Sequence, residues 1–450
     1  DGIRDLVRSR GLGDVYKRQT IQDTFKTSLW MHTAVPAPNT KKLNINCSTE
    51  VVIVGAGFTG LSAALHLSEM GSKVTVLEAE EIGFGASGRN GGQVNPGLKI
   101  DPDVLLNRFG AKKASHIFSA TESSADFVFD LVKRYNLNCE LKRTGFIYAS
   151  ENKNMLNKSR LRLEWLKKIG VEAKLLDANE TAERIGHQIY SGSIYDPRGG
   201  ALNPLSFVRE LASAALTKGV KIYSNSAALS LKKTGDSWTI TTKEGTIIAD
   251  KIILCTNAYT NLVSGNSLWP NLARSIIPLY SFQVATKPLS DNLRKVILPG
   301  GHTVSNTRRL MLYYRFDEKG RFVLGGRGSG QDRTDFRKYK HLVHKVGELF
   351  PALKNHEIEF CWGGKVAITT DAIPHLHNPI KGIYAGLGFN GRGVAMSTLL
   401  GKWLAMAATG SLPNEAVPFT EINPIPFHSF RGIGVSLVTQ FKAIQDRLKL

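Results

Sequence analysis

The chain has 450 residues, 42% hydrophobic and 21% charged, with 58 Lys and Arg against 38 Asp and Glu for a formal net charge of +20. The basic residues are spread without a dense block or a nucleic-acid motif, so the charge reads as a solvated surface rather than a nucleic-acid interface. Cys47, Cys139, Cys255 and Cys361 form no CxxC pair, which argues against a zinc or other metal site; with no membrane-length apolar run and no leader-like pattern, this fits a cytoplasmic, reducing compartment.

A chain of this length is expected to form two or more lobes around a large core. Residues 1–20 lack an apolar period and look like translated adaptor sequence, so they are expected to be non-native or disordered, with 21–48 as an N-terminal arm. Residues 51–54 then predict an apolar strand running into Gly55, Gly57 and Gly60, an apolar-periodic helix with Ala64 on its packing face, and a second strand over 73–77 ending at Glu78. In such a unit the first glycine permits a tight turn and the second lets the backbone approach a pyrophosphate. The third lets the helix pack on the strand. A carboxylate at the end of the second strand holds the ribose hydroxyls of an adenosine, so the unit predicts dinucleotide binding without separating NAD from FAD.

Gly83 to Gln93 (GFGASGRNGGQ) predicts an extended loop on which a flat ring can lie. Helices are predicted over 111–135 and 152–169, with a strand over 139–149. Asn203-Pro204 supplies an N-cap and first residue for a helix to about 218. Short strands over 220–223, 227–232, 238–242 and 247–249 lead to a buried-type strand over 251–255 and then to Thr256-Asn257. Period-two patterning over 274–288, with strands over 309–315 and 321–324, predicts an antiparallel sheet. A helix over 338–350, strands over 358–369 and 382–385, and a helix over 391–408 follow. Phe430, Ile433, Leu437, Phe441, Ile444 and Leu448 stand at helical spacing, predicting an amphipathic helix that covers its own protein.

The segments VIVGAGFTGLSAALHL, VLEA, GASGRNGGQ, CTNAY, IPL, WGG and GLGFNGRG together resemble the glycine/D-amino-acid oxidase family of FAD-dependent oxidoreductases, in particular its gamma-glutamylputrescine oxidoreductase group. The likeness runs from about residue 28 to the C-terminus. It implies an α/β fold: an FAD-binding, Rossmann-like domain of the glutathione-reductase type, interleaved with an α+β substrate domain built on an antiparallel sheet. The expected FAD-binding segments are 49–98, 199–264 and 361–415. The substrate domain takes 99–198 and 265–360, and 416–450 is a C-terminal segment. The implied FAD contacts are Gly55, Gly57, Phe58, Thr59, Gly60, Glu78 and Ala79, then Gly85, Ala86, Ser87, Arg89, Asn90, Gly91, Gly92 and Gln93 under the ring. Ala228 lies by the adenine, Thr256 and Asn257 by the phosphates or ribitol, and Gly388, Phe389, Asn390, Gly391, Gly393 and Val394 by the pyrimidine edge. The FAD is expected to be non-covalent, although Cys361 lies in a region where some relatives attach it.

The resemblance implies oxidation of an amine C–N bond to an imine, with oxygen or another electron acceptor taking the electrons. The leading substrate is a gamma-glutamylputrescine-like polyamine derivative. An N-methylated or D-amino acid is the alternative, as is a flavin-binding subunit that needs a partner chain. Trp362, Tyr313 and Tyr314 are candidates for an aromatic wall facing the amine, Arg315 and Lys365 for holding a carboxylate or assisting oxygen, and Asp371 for pairing with an ammonium. Arg392, in the first turn of the last FAD-domain helix, would add charge beside the reduced flavin.

Overall fold

The computed structural model describes residues 19–20, 23–261, 267–327, 333–334 and 336–447. The main strands in chain order begin with β1 (Cys47–Val54), β2 (Val74–Leu77), β3 (Phe146–Ser150), β4 (Lys174–Leu176) and β5 (Gly192–Asp196). They continue with β6 (Lys221–Tyr223), β7 (Ser230–Thr234), β8 (Ser237–Thr241), β9 (Thr246–Leu254) and β10 (Ile277–Pro288). Last come β11 (Thr303–Asn306), β12 (Tyr313–Phe316), β13 (Arg321–Arg327), β14 (Ile358–Ile368), β15 (His375–Ile380) and β16 (Ile383–Leu387).

Two eight-stranded sheets divide these strands. The first has the order β7-β8-β9-β1-β2-β6 and is parallel from β9 to β6. β16 joins it parallel to β9 and carries β15 antiparallel. Val51 to Val54 and all of β2 are buried, as expected of parallel strands covered on both faces. Helix α1 (Phe58–Glu69) connects β1 to β2. The second sheet has the order β14-β10-β13-β12-β11-β3-β5-β4 and is antiparallel except where β11 runs beside β3.

The remaining helices are α2 (Pro102–Glu122), α3 (Ser124–Tyr135), α4 (Lys153–Lys168), α5 (Ala178–Ile185), α6 (Pro204–Thr217), α7 (Lys340–Leu349), α8 (Gly393–Ala408) and α9 (Arg431–Arg447). α8 lies against α1: Ser62 Oγ donates to Thr398 O at 2.7 Å, and a Cβ on Gly401 would stand 2.4 Å from Thr59 O. The predicted N-cap of α6 is present, with Asn203 Oδ1 accepting from Ser206 N at 3.1 Å. α4 is capped the same way by Asn152.

Several expectations change. The helix predicted over 111–135 is two, α2 and α3, meeting at Ser123. The strand predicted from 139 begins only at Phe146, because Glu140 (φ 54°) and Gly145 (φ 83°) turn the chain before it. The strands predicted at 247–249 and 251–255 are one, β9. The stretch 361–368, expected in the FAD-binding domain, belongs to β14 and pairs with β10 in the second sheet. The β4–α5–β5 unit was not foreseen, although the Asp177–Glu180 capping box that starts α5 is a sequence signal. α9 forms, but its apolar stripe faces outward: Phe430, Ile433, Leu437 and Phe441 are 60–65% exposed. Ile444's side chain and Leu448 lie outside the described residues, as do residues 1–18. Gln19–Thr20, expected outside the fold, pairs with Arg333–Thr334.

Candidate active site

The turn after β1 is shaped by what glycine lacks. Gly55 has φ +109°, and a Cβ there would stand 2.9 Å from Cys255 O at the tip of neighbouring β9. A Cβ on Gly60 would come within 1.9 Å of Gly55 O, so the first turn of α1 packs directly on the strand end. Glu78 is pinned at the end of β2. Its Oε2 accepts from Ala56 N at 2.8 Å and its Oε1 from Glu80 N at 3.1 Å. Burial raises its pKa, and these backbone donors oppose the rise.

The glycine-rich loop is fixed from below. Arg89 is fully buried: its guanidinium lies against both the Phe25 and Phe84 rings (4.9 and 4.6 Å), which touch each other edge-on, and its Nε donates to Phe84 O at 2.7 Å. Arg89 O accepts from Gln283 Nε2 at 2.5 Å and Trp362 Nε1 at 2.9 Å. Asn90 holds the loop's own turn, its Oδ1 accepting from Gly92 N at 2.8 Å. Ser87 Oγ accepts from Phe58 N at 3.0 Å, tying the loop to the start of α1.

A third element closes the ring. Asn257, with φ 44° just past β9, accepts from Gly388 N at 3.0 Å through Oδ1. Asn390, with φ 53°, accepts from Thr369 N at 2.9 Å and donates to Gly388 O at 2.6 Å. This asparagine latch sets the turn that opens α8.

A cavity of about 410 Å³ joins all three elements and continues to the face of the second sheet. A Glu78 cradle, a glycine turn without room for side chains and a long cleft leading away fit an FAD laid from adenosine to ring. A family model described as FAD dependent oxidoreductase matches residues 50–407. The chain belongs to this family of FAD-dependent oxidoreductases. It is 30% identical to the gamma-glutamylputrescine oxidoreductase of Escherichia coli (strain K12), over 89% of this chain and 92% of that one. It is 31% identical to a probable oxidoreductase, OrdL, of Haemophilus influenzae, over 80% of this chain and 83% of the relative. The fold is shared with L-proline dehydrogenase from P. horikoshii (TM-score 0.67, 21% identity, 84% of this chain and 96% of that one). It is also shared with glycine oxidase from Geobacillus kaustophilus (TM-score 0.66, 18% identity, 83% and 97%).

Most of the residues expected around FAD line this oxidoreductase's cavity. Gly55, Gly57, Phe58, Thr59, Glu78, Ala79, Gly85, Ala86, Ser87, Arg89, Asn90, Gly91 and Gln93 do so from the first two elements. Ala228, Thr256, Asn257, Phe389, Asn390, Gly391, Gly393 and Val394 do so from the rest. Gly60, Gly92 and Gly388 stand behind the wall: the first two let backbone pack against backbone, and Gly388 leaves room for the Thr369 side chain.

The residues expected to do chemistry divide. Tyr313, Lys365 and Arg392 line the cavity. Tyr313 Oη lies 2.9 Å from Ser281 Oγ, and burial pushes its phenol up to about 12. Lys365 Nζ sits 5.6 and 5.7 Å from the Tyr259 and Tyr280 rings. Trp362, Tyr314, Arg315 and Asp371 are off the wall, Tyr314 in the core of the second sheet and Asp371 paired with Arg108. Trp362 has no exposure and packs edge-on to Trp30 beneath the Arg89 loop. Arg315 uses its guanidinium on Gly91 O (2.6 Å), Leu202 O (2.8 Å) and Phe316 O (2.9 Å), which makes it scaffold. Cys361 alternates to the core of the second sheet, away from the cavity, where burial raises its thiol pKa; it is not placed to bond a flavin.

Sequence reading missed Gln283, Ser281, Asn95, Lys99, Arg327 and Lys442, all on the cavity wall. Ser281 and Gln283 carried a signal: two polar side chains at i and i+2 inside an otherwise apolar strand.

Proposed function

We propose that this protein oxidises an amine C–N bond, with a gamma-glutamylputrescine-like substrate as the leading class. Bound FAD would supply the hydride acceptor. The carbon next to nitrogen gives up a hydride, the neutral nitrogen forms the C=N bond and loses a proton to water, and a second water cleaves the imine to aldehyde and ammonia. The two electrons then pass to oxygen or another acceptor.

One observation carries this reading. Among the described residues, Glu78 and Glu80 are the only carboxylates on the cavity wall, and both stand in the nucleotide cradle. An amine at the other end therefore meets cations and no acid. At an effective dielectric of about 20, a charge about 8 Å away disfavours an ammonium by about 2 kcal/mol, or about 1.5 pKa units. That pushes the substrate towards the neutral form from which hydride can leave. The similarity to the Escherichia coli gamma-glutamylputrescine oxidoreductase over most of both chains supports the substrate class.

The test is anaerobic bleaching of the flavin band near about 450 nm. Gamma-glutamylputrescine is expected to bleach it, with putrescine, sarcosine, dimethylglycine and D-amino acids as comparisons. Full flavin occupancy with no bleaching by any amine would overturn the reading. Bleaching by sarcosine or a D-amino acid alone would transfer it to N-methylated or D-amino acids, an alternative that the unpartnered Nη1 of Arg392 favours.

A further inference from the structure

Helix α9 carries its apolar face away from the protein. Phe430, Ile433, Leu437 and Phe441, spaced three or four residues apart, share one side of α9 and of the short turn His428–Phe430 before it, and all are 60–65% exposed. Phe427 adds a ring that is 83% exposed and is held at φ 55°, a conformation that bulky residues avoid. The side turned to the protein carries Arg431, Val435 and Lys442, which are half-buried, and Lys442 reaches the cavity wall.

The orientation is fixed where the helix starts. Buried His428 donates from Nε2 to Ile276 O at 2.9 Å, Ile425 N donates to Arg274 O at 2.9 Å, and Arg431 Nη1 donates to His428 O at 3.2 Å. These bonds root the segment just before β10, so rolling the stripe inward would break them.

A continuous strip of large apolar side chains differs from the scattered exposure normal on a soluble surface, and it marks a face that something covers. Charge selects what does so. Residues 427–450 hold Arg431, Lys442, Arg447 and Lys449 against Asp446, and the whole chain carries +20. A second copy of so basic a chain is repelled, whereas a layer of anionic lipid headgroups attracts it. Phe and Leu on one face, with Lys and Arg elsewhere along the segment, are also the make-up of a helix that lies in a bilayer interface. α9 is not long and apolar enough to cross a membrane, so it would lie on the surface rather than span it.

We propose that α9 and the turn before it form a docking surface for an anionic lipid bilayer. Phe427, Phe430, Ile433, Leu437 and Phe441 enter the boundary between headgroups and acyl chains, and the positive charge of the segment draws it there. The docked helix then also supplies part of the cavity wall, through Lys442. This surface does not depend on the amine-oxidising reading above.

The test floats the flavin-loaded full chain at low salt with vesicles of phosphatidylcholine alone, or of equimolar phosphatidylcholine and phosphatidylglycerol. Partition onto the anionic vesicles is expected to exceed that onto the neutral ones at least tenfold. A double variant, Phe430→Ser with Phe441→Ser, is expected to lower it at least tenfold while keeping its flavin and its Tm. Absence of partition onto anionic vesicles, equal partition onto both kinds, or partition unchanged in the double variant overturns the proposal. So does sedimentation of a dimer that the double variant dissolves while the unaltered chain stays off the vesicles, because a second copy then covers the stripe. If the double variant loses its flavin, Ile433→Gln with Leu437→Gln gives the same comparison.

Discussion

Replacing Arg315 separates a scaffold residue from a reacting one. Arg315→Met keeps the apolar stem and removes the guanidinium with its three donors, orphaning Gly91 O, Leu202 O and Phe316 O, now held at 2.6, 2.8 and 2.9 Å. Hydrogen bonds from a charged group contribute about 1.5–3 kcal/mol each, so roughly 4–9 kcal/mol is lost. Against this, burial holds the guanidinium down from 12.5 to about 10, so removing the cation relieves about 3 kcal/mol. The net is a destabilisation of about 3 kcal/mol. At about 2.1 cal/mol/K per residue over 450 residues, that lowers Tm by about 3 °C if unfolding is a single step. Because Gly91 belongs to the loop under the flavin, flavin retention should weaken in parallel. The assay is thermal unfolding beside flavin content and the rate of anaerobic reduction per bound flavin. Unchanged Tm and occupancy, with the rate per flavin down a hundredfold or more, would refute the scaffold assignment and return Arg315 to the chemistry.

Glu78→Gln should raise the FAD dissociation constant tenfold or more, a loss of about 1.4 kcal/mol or greater, because an amide cannot accept from both Ala56 N and Glu80 N while serving a ribose; fluorescence titration of the apoprotein reads this. Leu437→Gln should shift Tm by less than about 1 °C, since that side chain is already 61% exposed; a large drop would mean that α9 buries its apolar face in solution.

The α1 unit, its glycine turn, Glu78, the loop over 83–93 and the turn opening α8 were all legible in the sequence, and for one reason. Each shows in local composition and spacing: Gly60 must clear Gly55 O five residues before it, Asn203 caps its own helix, and the positive φ of Gly55 or Asn390 is a property of one residue, even where the space that Gly55 keeps free is for distant Cys255 O. Asn203 before Pro204 is such a signal, and it marked the start of α6 correctly.

Side-chain direction on the second sheet was not local. Residues alternate faces along a strand, so knowing that 309–315 and 358–369 are extended does not say which of their residues meet the cavity. Nor does the face alone decide it: Tyr313 and Arg315 share one face of β12, yet Tyr313 lines the cavity while Arg315 is spent on backbone carbonyls, and Trp362, paired with the cavity-lining Gln283, is covered by the Arg89 loop whose carbonyl it holds. Pairing placed 361–368 in the second sheet, since a strand takes the sheet that offers its ladder partner, here β10.

The sequence by itself determined a dinucleotide cradle, its acid, the ring loop and the family likeness. Only the tertiary structure brought Lys99, Arg327, Arg392 and Lys442 to one wall and kept carboxylates away from it. Charge repulsion and neutralisation depend on distance through space, and segments hundreds of residues apart acquire that distance only when the two sheets and α9 are in place.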